Sequence, residues 1–196
     1  MKIICIDFPN FYQMSQETMK FIFYLKSENS LIQPNKSFII PLFSEEIYYQ
    51  FGIVVKICKV GKNIRKQFAY RYYNKISLGI NFTALDMLKA CRNYGLPWEV
   101  SKSFDFSCAI GSFLDFNDLF NLFFSFYIDN ELVNKFTFKD LNISLDEIIS
   151  YVSAFITFKV GDVIFVNCTN YLNKVKRKNT FIGKINEQIV LNFDVI

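Results

Sequence analysis

Short runs in which apolar residues recur at strand spacing follow one another along the chain, and at three places they give way to a helical period. The strand-like runs are residues 3–6, 21–25, 38–40, 53–57, 120–128, 163–166 and 189–193. The clearest helix spans 144–156, where Ser144 and Glu147 have capping-box spacing and Leu145, Ile148, Ile149, Val152 and Phe155 form one apolar stripe. A second is predicted over 63–73, with Ile64, Phe68 and Tyr72 at helical spacing beside outward Arg65, Lys66 and Arg71. A third follows Thr83 up to Gly95. Strands predominate, so the pattern predicts an α+β fold, mostly β with a few peripheral helices. With 7 Gly, 4 Pro, no linker-like stretch and no internal repeat, residues 1–196 read as a single domain.

Composition removes several classes. Hydrophobic residues make up 52% and charged residues 20%, including 24 Phe and 11 Tyr, which excludes a disordered chain. A net charge of +4 is too mild to imply a nucleic-acid partner, and none is expected from it. The longest apolar stretch, Leu119 to Ile128, is broken by Asn121 and Ser125 and falls short of the ~20 residues of a membrane helix. Met1-Lys2-Ile3-Ile4-Cys5-Ile6 runs straight into Asp7, so no signal-peptide core is read and a cytoplasmic protein is expected. The 5 cysteines are far apart, without metal or redox spacing, and are expected to be reduced. Histidine is absent, which excludes Ser-His and Cys-His pairs and leaves a carboxylate or a neutral lysine as the available general base.

The most informative segment lies between Glu45 and Asp105. It contains Ile47-Tyr48-Tyr49-Gln50-Phe51-Gly52-Ile53-Val54-Val55, then Gly61-Lys62-Asn63-Ile64, then Gly79-Ile80-Asn81-Phe82-Thr83-Ala84-Leu85-Asp86, then Leu96-Pro97-Trp98-Glu99-Val100-Ser101-Lys102-Ser103-Phe104-Asp105. In that order the chain resembles the fumarylacetoacetate hydrolase family. The resemblance implies a mixed β-sandwich or roll, a homodimer, and magnesium-dependent hydrolysis or decarboxylation of acylpyruvates and related 2-oxo acids. In the family two glutamates, one residue apart on a strand, and an aspartate ahead of a Thr-x-Arg-Asp element hold the cation. Those positions correspond here to Gln50, Gly52 and Asn81.

A hard dication wants charged oxygens, whereas amides supply dipoles and glycine supplies no side chain. No metal or other cofactor is therefore expected, although the family uses Mg2+. The family's histidine position corresponds to Gln13 and its arginine to Leu85, both degenerate for catalysis. Its Thr-Gly-Thr-Pro segment reads Val166-Asn167-Cys168-Thr169-Asn170. Lys102, Asp86, Asp105, Phe104 and Lys26 match family positions, with Lys102 and Asp86 the retained catalytic pair. The resulting expectation is an inactive pseudoenzyme of the family. Lys102, together with Lys26, would either receive a small organic anion or, for Lys102, pair with Asp86 or Asp105. One alternative is a surviving 2-oxo acid enzyme whose metal is held by Glu45, Glu46, Asp86 or Asp105 beside Lys102. Another is polyanion binding through Lys174–Lys178, set against a solvated hairpin tip. The aromatic stretch 113–127 reads as core, with a subunit interface as second choice.

Overall fold

The structure, a computed structural model, describes residues 1–8, 21–141, 144–169 and 173–196. The chain passes through β1 (Ile3–Asp7) and β2 (Ile22–Lys26) into β3 (Ile47–Ile57) and β4 (Tyr73–Ala84), the long antiparallel pair that forms its spine. Next come helix α1 (Leu85–Tyr94), helix α2 (Glu99–Lys102) and the short strands β5 (Cys108–Ile110) and β6 (Leu114–Asp115). The hairpin β7 (Phe123–Ile128) and β8 (Glu131–Thr137) leads to helix α3 (Leu145–Phe155), then β9 (Val163–Asn167) and β10 (Asn173–Lys174). A last pair, β11 (Thr180–Ile185) and β12 (Gln188–Asp194), closes the chain.

Among the described residues the strands form two sheets. The larger has the order β2-β1-β9-β3-β4-β5, with β10 added to β3 and β6 to β4; the smaller has the order β12-β11-β7-β8. All pairings are antiparallel except that of β1 with β9. Successive strand residues point to opposite faces, so each strand of the larger sheet serves two environments. Tyr49, Phe51, Ile53, Leu78, Ile80 and Phe82 face the smaller sheet and are buried. Phe51 stacks on Phe126 with centroids 4.3 Å apart, and Tyr49 meets Phe181 edge-on at 4.9 Å. The residues between them, Gln50, Gly52, Gly79 and Asn81, belong to the opposite face.

The expected mixed β architecture with a few helices is present. Helix α3 follows its predicted stripe: Leu145, Ile148, Ile149 and Val152 are buried, and the Glu147 backbone N–H donates to the Ser144 hydroxyl at 3.3 Å. Phe155 departs from the expectation; it ends the helix 58% exposed, against Phe23 and Tyr151. Helix α1 stops at Gly95, whose φ of 64° is the left-handed conformation a glycine C-cap takes easily.

The helix predicted over 63–73 is instead a 3-10 turn, Lys66–Arg71, in which only Ala69 is buried. The reason is local. Asn63 has a φ of 50°, Ile64 N–H donates to the Ser153 hydroxyl rather than to a helical carbonyl, and β4 claims the chain from Tyr73. The run 38–40 forms only an isolated bridge, Phe38 to Val195. The run 120–128 begins as a 3-10 turn, because Asp118 accepts from Phe120 N–H and strand geometry starts at Phe123.

Candidate functional site

The face of the larger sheet that turns away from the core carries the residues of interest. In the β3–β4 register Gln50 lies opposite Asn81 and Gly52 opposite Gly79. On β9 the same face holds Phe165 and Asn167, with Asn167 beside Gly52. β1 contributes Asp7, β2 contributes Tyr24 and Lys26, and α2 brings Lys102 over them. Five strands and one short helix thus gather side chains that are scattered through the sequence.

Lys102, Asp7, Asn167, Asn81 and Tyr24 form one connected polar chain. The Lys102 ammonium donates to Asp7 Oδ2 at 2.8 Å, and the two side chains are 4% and 1% exposed. Asp7 Oδ1 accepts from Asn167 Nδ2 at 2.5 Å, Asn167 Oδ1 accepts from Asn81 Nδ2 at 3.1 Å, and Asn81 Nδ2 also donates to the Tyr24 hydroxyl at 2.6 Å. The ammonium lies 4.3 Å from the Tyr24 ring centroid and 5.9 Å from that of Trp98. Buried charge of this kind is tolerated only when paired and hydrogen-bonded, and here both conditions are met. Lys102 therefore pairs with Asp7, not with Asp86 or Asp105.

The other sequence-singled residues are placed differently. Lys26 is fully buried and points its ammonium at the carbonyls of Phe82, Lys102 and Ser107 and at the Ser107 hydroxyl. Burial pulls its pKa down to about 8, with Cys5 and Cys108 acting against the shift and Lys102 with it. Its donors join β2, β4 and the end of α2. Asp86 sits in the first turn of α1, accepting from Ser44 Oγ at 2.6 Å, Met87 N–H at 2.8 Å and Glu45 N–H at 3.1 Å. Burial works to raise the Asp86 carboxyl, but the bonds from Ser44, Met87 and Glu45 prevail and hold it below the usual aspartate value.

Leu85 opens the same helix. Glu46 pairs with Lys89 at 3.0 Å, while Glu45 and Asp105 are exposed. Among the described residues no group of three or more His, Cys, Asp or Glu is placed to hold a metal ion. Gln13 lies outside the described residues. Lys174, Lys176, Arg177 and Lys178 are exposed around buried Val175.

Gln50, Gly52 and Asn81, the positions that the resemblance gives to metal ligands, do not suit a divalent cation. Gln50 donates to Thr169 O at 3.3 Å, and the Asn81 amide nitrogen is engaged as above. Asn81 Oδ1, Thr83 Oγ1 and Thr169 Oγ1 have no partner among the described residues, but all three are neutral oxygens. The nearby carboxylate, Asp7, is already balanced by Lys102. At Gly52 a Cβ would overlap the Phe165 ring, so that ring stands where a side chain from position 52 would project. A Cβ at Gly79 would also overlap this ring. Asp7, Tyr24 and Phe165 were not singled out as site residues in the sequence, and Asn167 stood there only within the segment matching the family's Thr-Gly-Thr-Pro; the visible hint was a lone carboxylate, Asp7, closing an apolar strand.

Comparison with known proteins agrees with this fold. The family described as fumarylacetoacetate (FAA) hydrolase C-terminal matches residues 10–168. The mitochondrial oxaloacetate tautomerase FAHD1 of Bos taurus is 24% identical over 177 residues, covering 89% of this chain and 80% of that protein. A mitochondrial oxaloacetate decarboxylase of Dictyostelium discoideum is 28% identical over 158 residues, covering 79% and 72%. The crystal structure of a fumarylpyruvate hydrolase from Pseudomonas aeruginosa, in complex with Mn2+ and pyruvate, superposes with a TM-score of 0.85 at 22% identity, covering 100% of this chain and 89% of that one.

Proposed function

The chain belongs to the fumarylacetoacetate hydrolase family, and we propose that within it this protein is a catalytically silent member whose metal locus has been converted into packed, internally neutralised structure. The observation that carries this reading is the Phe165 ring lying against Gly52 and Gly79, in the place a ligand side chain from position 52 would need. The amides at Gln50 and Asn81 fit with it, because they keep the shape of carboxylates while removing the charge a dication requires. Lys102 then has no metal-bound substrate to serve, and Asp7 compensates its charge. Clustered carboxylates without a cation repel one another, so their replacement relieves a cost that only catalysis would have justified. Relatives bearing the names oxaloacetate tautomerase and oxaloacetate decarboxylase indicate which small 2-oxo acids a residual activity would use.

The test is calorimetric titration with Mg2+ and with Mn2+, each with and without oxalate as a mimic of a 2-oxo acid enolate. The reading expects no stoichiometric metal heat in either case and no oxaloacetate or acylpyruvate turnover. Stoichiometric binding, or turnover that disappears in Lys102→Met, would overturn it and restore the enzyme reading. Heat with oxalate alone, lost in Lys102→Met, would mean that the inactive protein keeps an anion site at the Asp7–Lys102 pair.

A further inference from the structure

Residues 56–75 contain seven of the chain's 22 Lys and Arg residues and no Asp or Glu. From the end of β3 through the 3-10 turn to the start of β4 it forms a lobe in which Ile57, Ile64 and Ala69 are buried while Lys59, Lys62, Arg65, Lys66 and Arg71 are exposed. Phe158 bridges Gly61, which brings exposed Lys159 to the same lobe. Carboxylates that reach the lobe are already engaged: Glu147 by Lys66 at 2.5 Å, Asp115 by Lys75 at 3.4 Å, and Asp146 by the Tyr73 hydroxyl at 3.2 Å. Lys59, Lys62, Arg65, Arg71 and Lys159 have no ion-pair partner among the described residues.

The lobe also presents aromatic faces. Arg71 lies 5.2 Å from the Phe68 ring and 5.3 Å from the Tyr70 ring, and its Nε–H donates to the Tyr70 hydroxyl at 3.0 Å. The two rings are 39% and 55% exposed, so the guanidinium holds them in place while leaving much of their surface to solvent. Lys59 lies 5.5 Å from the Tyr72 ring. Unpaired cations for phosphates, next to fixed and exposed rings for bases, are the two elements of a single-strand nucleic-acid surface. We propose that this lobe binds single-stranded nucleic acid.

Duplex binding suits the lobe less well, because stacking needs unpaired bases and a 3-10 turn of six residues cannot fill a major groove. An anionic membrane suits it less well too, since Asn63 and Gln67 lie among the cations and no amphipathic helix spans the patch. The run at Lys174–Lys178 has the charge without the rings: among the described residues no aromatic contact accompanies it. The low net charge of the chain conceals the lobe, because the compensating acids lie elsewhere. This inference is independent of whether the family's chemistry survives.

The experiment is fluorescence anisotropy with a labelled single-stranded RNA of about 20 nucleotides at about 50 and about 200 mM salt. Its duplex serves as competitor, and phosphatidylserine vesicles are tested in parallel by co-sedimentation. Binding should weaken at the higher salt, and Lys59→Glu with Lys62→Glu should reduce affinity about ten-fold or more. Tyr70→Ala should reduce it about five-fold or more without changing the salt slope. Lys174→Glu with Lys176→Glu should leave affinity unchanged, and thermal melts check that every variant is folded. The proposal is overturned by absence of binding at low salt, by equal or tighter binding of the duplex, by equal loss in the Lys174/Lys176 variant, or by vesicle binding without RNA binding.

Discussion

Gly52 and Phe165 share one notch in the larger sheet: the glycine on β3 has no side chain, and the phenylalanine on β9 lays its ring over the place where one would be. Gly79, opposite Gly52 on β4, forms the other wall of the notch. A sequence reading sees three separate residues, one of them an apparent loss. In three dimensions they are one packing solution, in which two glycines make room for one aromatic ring.

This coupling has a measurable signature. Gly52→Ala should destabilise the protein by about 1–3 kcal/mol, because the added methyl forces the ring to move. In a Phe165→Ala background, which by itself should cost about 3–5 kcal/mol, the same substitution should cost less, the remaining penalty coming from the Val166 carbonyl oxygen, 2.7 Å from the added Cβ. Urea denaturation of the four proteins closes the cycle. An equal penalty in both backgrounds would mean that Phe165 is not what makes position 52 intolerant.

The Asp7–Lys102 pair invites a similar cycle with a different origin. Removing either partner leaves a buried charge uncompensated, so Asp7→Asn and Lys102→Met should each cost about 3–5 kcal/mol. The double variant should cost clearly less than the two together, since no unpaired charge remains. Strict additivity in denaturation experiments would show that the two side chains contribute separately.

How much of this was legible beforehand depended on sequence distance. Alternation placed the strands that face the core, and the motif order placed Gln50, Gly52 and Asn81 in one locus, where the register sets Gln50 opposite Asn81. β4 was not read as a strand because its second face carries Lys75, Ser77, Gly79, Asn81 and Thr83, which dilute the run although Ile76, Leu78, Ile80 and Phe82 keep the period. The partner of Lys102 is 95 residues away, on the first strand, and is chosen by the crossing of α2 over the sheet. No local spacing encodes that. The basic stretch at 56–75 was visible as charge, but a helical period spread its cations outward, and only the observed turn collects Phe68, Tyr70 and Arg71.

Thiol reactivity offers a check on burial. All five cysteines are free; Cys58 is exposed, whereas Cys5, Cys91 and Cys108 are buried. Burial pushes the Cys5 thiol up to about 11, with Lys26 pulling the other way, and pushes Cys168 up to about 12. Because the thiolate is the reactive form, burial and raised pKa act together. A colorimetric thiol titration at pH 8 should find one fast-reacting cysteine in the native protein, lost in Cys58→Ser, and all five after denaturation. A second fast thiol that disappears in Cys5→Ser or Cys108→Ser would show that the face of the larger sheet carrying Tyr24 and Phe165 opens.

Asp86 separates a structural role from a catalytic one through its pH dependence. Its carboxylate accepts from Ser44, Met87 and Glu45 near the first turn of α1, where negative charge is favoured by the helix dipole. The folded-state pKa lies below the ordinary aspartate value. The unfolded chain therefore takes up the proton first as pH falls, so the stabilisation is complete above the ordinary value and is lost as pH drops through the folded one. Asp86→Ala should accordingly lower stability by about 0.5–1 kcal/mol near neutral pH. The gap from wild type should narrow as the solution is taken below about pH 4. Denaturation curves at several pH values measure that gap directly. If it stays constant into acid, Asp86 acts through shape and not through charge; if it closes, the residue retained from the family frame stabilises the start of α1 whether or not any substrate is bound.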